Sequence, residues 1–226
     1  MRLLLVVSLA FTFLATLGSV SASPPMHIFD NGIDFTARCV PSQRMCEFEA
    51  VVTDPNLIFF RWDFNGDGIW DSGYPGSHWT SNLRISNTYA IEGVYLVCLG
   101  AWDGVSSRGQ PPEPVGPTTC KTLVLGGTLI ISPAVWTRNS LGRVTAVWEY
   151  PPELARSPPP IQHPTLSGVP AIPMVRRSIL GEPPFVLFRA DRASLTAFLG
   201  PGTHGVILTG DWAGGYLFAE GDVTIT

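Results

Sequence analysis

The stretch Arg61-Trp62-Asp63-Phe64-Asn65-Gly66-Asp67-Gly68-Ile69-Trp70-Asp71 restricts the folds open to this chain more than any other. It sets two hairpin signals, Asn65-Gly66 and Asp67-Gly68, directly behind an aromatic segment. Asn, Asp and Gly tolerate positive φ, so the chain must reverse here in a tight turn. The same residues place oxygen-bearing side chains at Asp63, Asn65, Asp67 and Asp71. Alternate spacing of this kind lets a short loop curl its oxygens around one point. A hard cation such as Ca²⁺ takes a shell of six to eight oxygens. The expectation is a tight turn, with Asp63, Asn65, Asp67 and Asp71 holding a structural Ca²⁺.

The order of those oxygens resembles an EF-hand-type loop, with the Ile69 carbonyl as backbone ligand and Asp71 in the ninth place. Tyr74 stands where such a loop normally carries a bidentate Glu, which implies weak affinity. A second resemblance is wider. Trp62-Asp63-Phe64 followed by Gly66-Asp67-Gly68 is similar to the WDFGDG signature of polycystic kidney disease (PKD) domains, with a small insertion. Downstream, Asn87-Thr88-Tyr89, then Glu92-Gly93-Val94-Tyr95-Leu96-Val97, then Asp103-Gly104 follow the family's order, with Asn87 replacing its usual histidine. The resemblance covers about residues 27 to 125. It implies an immunoglobulin-like β-sandwich of a cell-surface or secreted protein.

The start of the chain agrees with that compartment. Met1-Arg2, a largely apolar run from Leu3 to Leu17 and the small residues Val20-Ser21-Ala22 predict a signal peptide cut after Ala22. The run is shorter than the roughly 20 residues a spanning helix needs. Secreted, extracellular or periplasmic placement follows, with no membrane contact after cleavage. Removing Arg2 leaves 13 basic residues against 18 acidic ones, a net charge of about −5, and there is no basic run. Nucleic acid and anionic membrane surfaces are therefore poor partners.

Four cysteines, Cys39, Cys46, Cys98 and Cys120, all fall in the first half. An even count in a secreted chain implies disulfides, whose pairing the count leaves open. Alternation narrows it. Tyr95, Val97, Leu99 and Ala101 share one face of their strand, so Cys98 faces the other way; Leu123 and Leu125 place Cys120 likewise. Parity thus favours Cys98–Cys120 on an outer face, with Cys39–Cys46 closing the first hairpin. An inter-sheet Cys46–Cys98 bridge is the alternative.

Gly and Pro number 23 and 21, and charged residues are only 14% of the chain. Many turns and short strands follow, an all-β composition. The expected architecture is two tandem β-sandwiches, residues 23–125 and 126–226, meeting at Gly126-Gly127. Ile33 to Cys39, Cys46 to Val52, Leu57 to Phe64 and Val144 to Trp148 alternate as strands. Trp62 is expected in the core. The aromatic segment Trp70 to Trp79, with Tyr74 and His78, is expected to fold back over the sandwich edge. Residues 156–173 are crowded with prolines and predict an extended or looped segment with at most a short edge strand. Asp191 to Leu199 reads as the one helix, capped by Asp191, with Leu195, Phe198 and Leu199 on one face and Gly200-Pro201 as the stop. This second half resembles, more loosely, a β-sandwich accessory domain of secreted bacterial and archaeal proteins. That likeness rests on Gly142 to Ala146, Asp191-Arg192-Ala193 and Gly210 through Asp222.

Catalytic signatures are missing. His27, His78, His163 and His204 lack zinc spacing, no GxSxG elbow is present, and no cysteine is spare. No Gly-rich loop joins a strand to a helix in the way nucleotide sites require. Asp211 beside Trp212, or Glu220 near Asp222, is the nearest approach to a carboxylate pair for glycoside hydrolysis. The expected function is a non-catalytic secreted binding or spacer module for extracellular protein or carbohydrate. The alternative is a small extracellular hydrolase built from dispersed carboxylates.

Overall fold

The computed structural model describes residues 32–72, 81–103, 117–151, 154, 160–177 and 184–226. The signal peptide, Tyr74, His78, Trp79 and most of the Pro-rich loop before Pro117 lie outside the described residues. In chain order the strands are β1 (Ile33–Val40), β2 (Met45–Val52), β3 (Phe59–Asp63), β4 (Arg84–Thr88), β5 (Gly93–Trp102), β6 (Thr118–Ser132) and β7 (Val135–Trp136). There follow β8 (Arg143–Glu149), β9 (Ile161–Leu166), β10 (Val169–Arg177), β11 (Phe185–Asp191), helix α1 (Arg192–Leu199), β12 (Gly202–Trp212) and β13 (Gly215–Ile225). The all-β class with a single α-helix is what the composition predicts.

The first unit is a sandwich. Sheet β1-β2-β4 faces β3-β5-β6, and the inward sets Phe35, Phe48, Trp62, Val97, Leu99, Leu123 and Leu125 form one core between them. Trp62 is fully buried, edge-on to Phe35 at 5.3 Å and stacked on Phe64 at 6.0 Å. Two disulfides staple the unit: Cys39–Cys46 across the β1–β2 hairpin and Cys98–Cys120 across β5–β6. In each bridge the two cysteines are directly opposed in register. The local pairing holds, and parity is the reason: Val97, Leu99 and Ala101 enter the core while Cys98 lies on the other face.

The second unit closes on itself, where a two-sheet sandwich was expected. Its strands run β6-β8-β11-β10-β9-β12-β13, and β13 pairs back to β6 to complete a seven-stranded ring. Alternating side chains fill it: Val144, Ala146 and Trp148 from β8, Val186 and Phe188 from β11, Val206 and Leu208 from β12. Trp148 meets Trp212 edge-on at 5.8 Å and Tyr150 at 5.3 Å. The proline-crowded segment forms β9 and β10, each flanked by a strand on both sides, rather than an edge. The prolines fit because ladder irregularities accompany them: the β9–β12 register shifts beside Pro164 and the β10–β11 register shifts at Pro173. Asp191 caps α1 by accepting from Ser194 N at 2.7 Å. Leu195 is buried, but Phe198 is 67% exposed, a correction to the shared apolar face.

Gly126 and Gly127 lie inside β6, not between elements. Between Leu125 and Thr128 the chain takes three steps against two from Phe218 to Glu220 on β13, so the glycines carry the extra residue of a bulge. Both have positive φ, 97° and 88°. The bulge reverses the alternation: Leu123 and Leu125 face the sandwich core and Val124 the barrel, whereas beyond it Leu129 and Ile131 face the barrel.

Candidate functional site

The Asp63 to Asp71 turn begins where β3 ends. Asp63 is 4% exposed. Its Oδ1 accepts from Asn65 N at 3.2 Å and Gly66 N at 2.7 Å, and its Oδ2 from Gly68 N at 2.9 Å. Asn65 Oδ1 accepts from Asp67 N, Asp67 Oδ1 from Ile69 N, and Asp71 Oδ2 from Phe64 N. Asn65 Nδ2 also donates to Asp67 Oδ2 at 3.0 Å. All four residues thus serve the backbone of their own turn, which is complete without a cation. Among the described residues no group of three or more His, Cys, Asp or Glu is placed to hold a metal ion. As placed, the donor set does not fit a calcium shell, and no function is derived through one.

The turn then folds back onto β3. Asp71 N and Ser72 N donate to Trp62 O, and Trp62 N donates to Ser72 Oγ at 2.6 Å. Trp70 lies over the Arg61 guanidinium, 4.2 Å from its carbon to the ring centroid, a cation–π contact. A side chain at Gly100 would touch the Trp70 ring at 3.0 Å, so that glycine makes room for it. Ser72, which sequence pattern alone did not single out, is the residue that ties the loop down.

A second candidate lies where the two units meet. A cleft of about 170 Å³ has Gly126, Gly127 and Gly221 in its floor and Glu92, Glu220 and Asp222 around it. Two of these carboxylates bind backbone across the junction. Glu92 Oε2 accepts from Gly127 N at 3.0 Å, and Glu220 Oε2 accepts from Ser42 N at 2.9 Å. Glu220, one of the carboxylates considered for hydrolysis, is therefore a tie between barrel and sandwich. Asp211 lies elsewhere, with Oδ2 2.8 Å from His163 Nδ1 on the outer surface, and both side chains are exposed.

Beside this cleft runs a polar knot. Lys121 Nζ sits 2.6 Å from Asp34 Oδ1 and donates to Phe35 O at 2.9 Å and to Tyr216 Oη at 3.1 Å. The Tyr216 hydroxyl donates to Phe35 O. Burial, reinforced by the Asp34 and Asp211 charges, raises the Tyr216 phenol well above its ordinary value, so it stays protonated. Lys121 reads in sequence as an ordinary strand charge; only the topology brings β1, β6 and β13 to it.

The geometry defines a disulfide-stapled, immunoglobulin-like β-sandwich built onto a closed β-barrel. Residues 32–110 match the model of the PKD domain, and the N-terminal half of this chain is a PKD domain. No curated protein matches the chain. PKD domains are extracellular interaction or spacer modules, and the two disulfides are consistent with an oxidising compartment. Among the described residues no helix is long and apolar enough to cross a membrane.

Proposed function

We propose that this chain is a non-catalytic secreted module that binds extracellular protein or carbohydrate, or spaces the parts of a larger assembly. The observation that carries this reading is the PKD match over residues 32–110. The use of the carboxylates supports it: Asp63, Asp71, Glu92 and Glu220 all accept backbone N–H groups. A hydrolase needs a pair of carboxylates free to meet substrate. The test is a glycan-array and extracellular-protein binding screen on the chain from Ser23 onward, run beside turnover assays on glycoside and ester substrates. Saturable binding without turnover is the expected result. Turnover that Glu220→Gln or Asp222→Asn abolishes while the fold persists overturns the reading in favour of a hydrolase.

A further inference from the structure

Strands β6 and β13 form one wall with a core on each side. Along their parallel pairing Tyr216 lies beside Leu123, Leu217 beside Val124 and Phe218 beside Leu125. Leu123, Leu125 and Phe218 pack into the sandwich core, with Tyr216 and Ile207 against it, whereas Val124 and Leu217 pack into the barrel core. Consecutive residues of the same two strands therefore serve different units. Such strands have no polar face, and their sequences show it: Leu123-Val124-Leu125 and Tyr216-Leu217-Phe218-Ala219 run apolar without alternation.

We infer that the sandwich and barrel are one cooperative body, with the PKD sandwich held at a fixed angle on the barrel. The inference holds whether or not the chain binds a ligand. Domains in one chain move relative to each other by default unless their interface is extensive and apolar. Here the interface is the hydrogen-bonded interior of a sheet. A hinge needs a few residues whose φ and ψ can change cheaply. The crossing point in β6 is Gly126-Gly127, and it is pinned. A Cβ at Gly127 would meet Trp148 Nε1 at 2.6 Å, its N–H is held by Glu92, and the Trp148 indole donates to Gly126 O. On β13 the approach is equally close: a Cβ at Gly215 would lie 1.9 Å from Thr122 O, and one at Gly221 2.2 Å from Leu129 O. The Lys121–Asp34–Tyr216 knot and the Glu220–Ser42 tie fix the outer parts of the same interface. Strand β13 also gives β6 a second neighbour at Leu123 to Leu125, covering an edge the sandwich would otherwise expose.

The experiment uses the full chain with two single truncations on adjacent residues of β13, Leu217→Ala on the barrel side and Phe218→Ala on the sandwich side. Calorimetry on wild type should give one transition whose calorimetric and van't Hoff enthalpies agree. By native-state hydrogen exchange, each truncation should accelerate the slowest amides of both β1 and β8 by a common factor, about tenfold or more. Two transitions in wild type overturn the inference. So does acceleration confined to the unit that the truncated side chain faces. If either truncated chain fails to fold, Tyr216→Phe, which keeps the ring and removes only the hydroxyl, gives the same readout in both units.

Discussion

The sandwich and the barrel solve the same problem by different means. Both are all-β layers around an aromatic centre, Trp62 in one and Trp148 with Trp212 in the other. The sandwich is an open structure whose sheets end in edges, and both disulfides lie there. The barrel has a closed ladder that removes edges, and it carries no cysteine. Covalent staples thus accompany the unit whose hydrogen bonding cannot close on itself. The sandwich closes its remaining side by using barrel strand β13, so the comparison ends in a shared wall.

The largest effect tests the staples. Loop closure predicts that removing Cys98–Cys120, 22 residues apart, costs about 3 kcal/mol, and that removing Cys39–Cys46, 7 apart, costs about 2 kcal/mol. Denaturant melts of Cys98→Ala/Cys120→Ala and Cys39→Ala/Cys46→Ala check this. Unchanged midpoints would mean that the sandwich needs no staple and that the contrast with the barrel is empty.

Next comes the pair Trp62→Ala and Trp148→Ala. Each leaves a large cavity and is expected to cost about 3 to 5 kcal/mol. Trp148→Ala should be the costlier, because it also frees Gly126 O and lies in a ring that cannot collapse inward. Urea unfolding of both variants measures the difference; a cheaper Trp148→Ala argues that the barrel is the more plastic unit.

The shared wall predicts a response to alkali. Burial raises both the Tyr216 and Tyr89 phenols above their ordinary value of 10.0. A raised folded value means the folded state holds its proton longer, so this stability is intact below about pH 10 and is lost as pH rises above it. Thermal midpoints from pH 8 to 11 should fall beyond 10, and the fall should shrink in Tyr216→Phe. At neutral pH that variant should cost about 1 to 2 kcal/mol for its lost hydrogen bonds. An identical alkaline profile in the variant removes Tyr216 from the account.

A smaller effect belongs to the barrel alone. Hydrogen bonds from Ser194 lower the Asp191 carboxyl below its ordinary 3.8. Its contribution to the helix is present above that value and lost as pH falls through the lowered one. Asp191→Ala should lower the midpoint slightly at pH 7, and the difference from wild type should vanish under strong acid. A gap that persists there points to packing and not to the cap.

Calcium is expected to do least. A site filled at ten times its dissociation constant would add about 1.4 kcal/mol. The hydrogen bonds of the Asp63 to Asp71 turn are complete within the chain, so melts in calcium and in chelator should coincide. A calcium-dependent rise abolished by Asp67→Ala would place the cation there after all and add a metal staple to the sandwich.

Local sequence determined the elements. Alternation fixed which residues of β1, β2, β5 and β8 turn inward, and the same parity set the disulfides. Asn65-Gly66 and Asp67-Gly68 fixed the turn, and Asp191 fixed the start of α1. These are consequences of two- and three-residue geometry, which nearby side chains control. Closure of the barrel, the passage of β6 through both units and the burial of Lys121 depend on which distant strand lies alongside which. The glycine pair shows the limit most clearly. Gly126-Gly127 signals an interruption of regular backbone, and in sequence an interruption before a new run of strands reads as a linker. Only the pairing of β13 with β6 makes it a bulge inside a continuous strand, because a bulge is defined by the partner it slips against. Likewise the oxygens of Asp63, Asn65, Asp67 and Asp71 were legible as a spacing. Whether they point at a cation or at their own backbone was settled by φ and ψ in the folded turn, where the nearest donors are the amides of the chain itself.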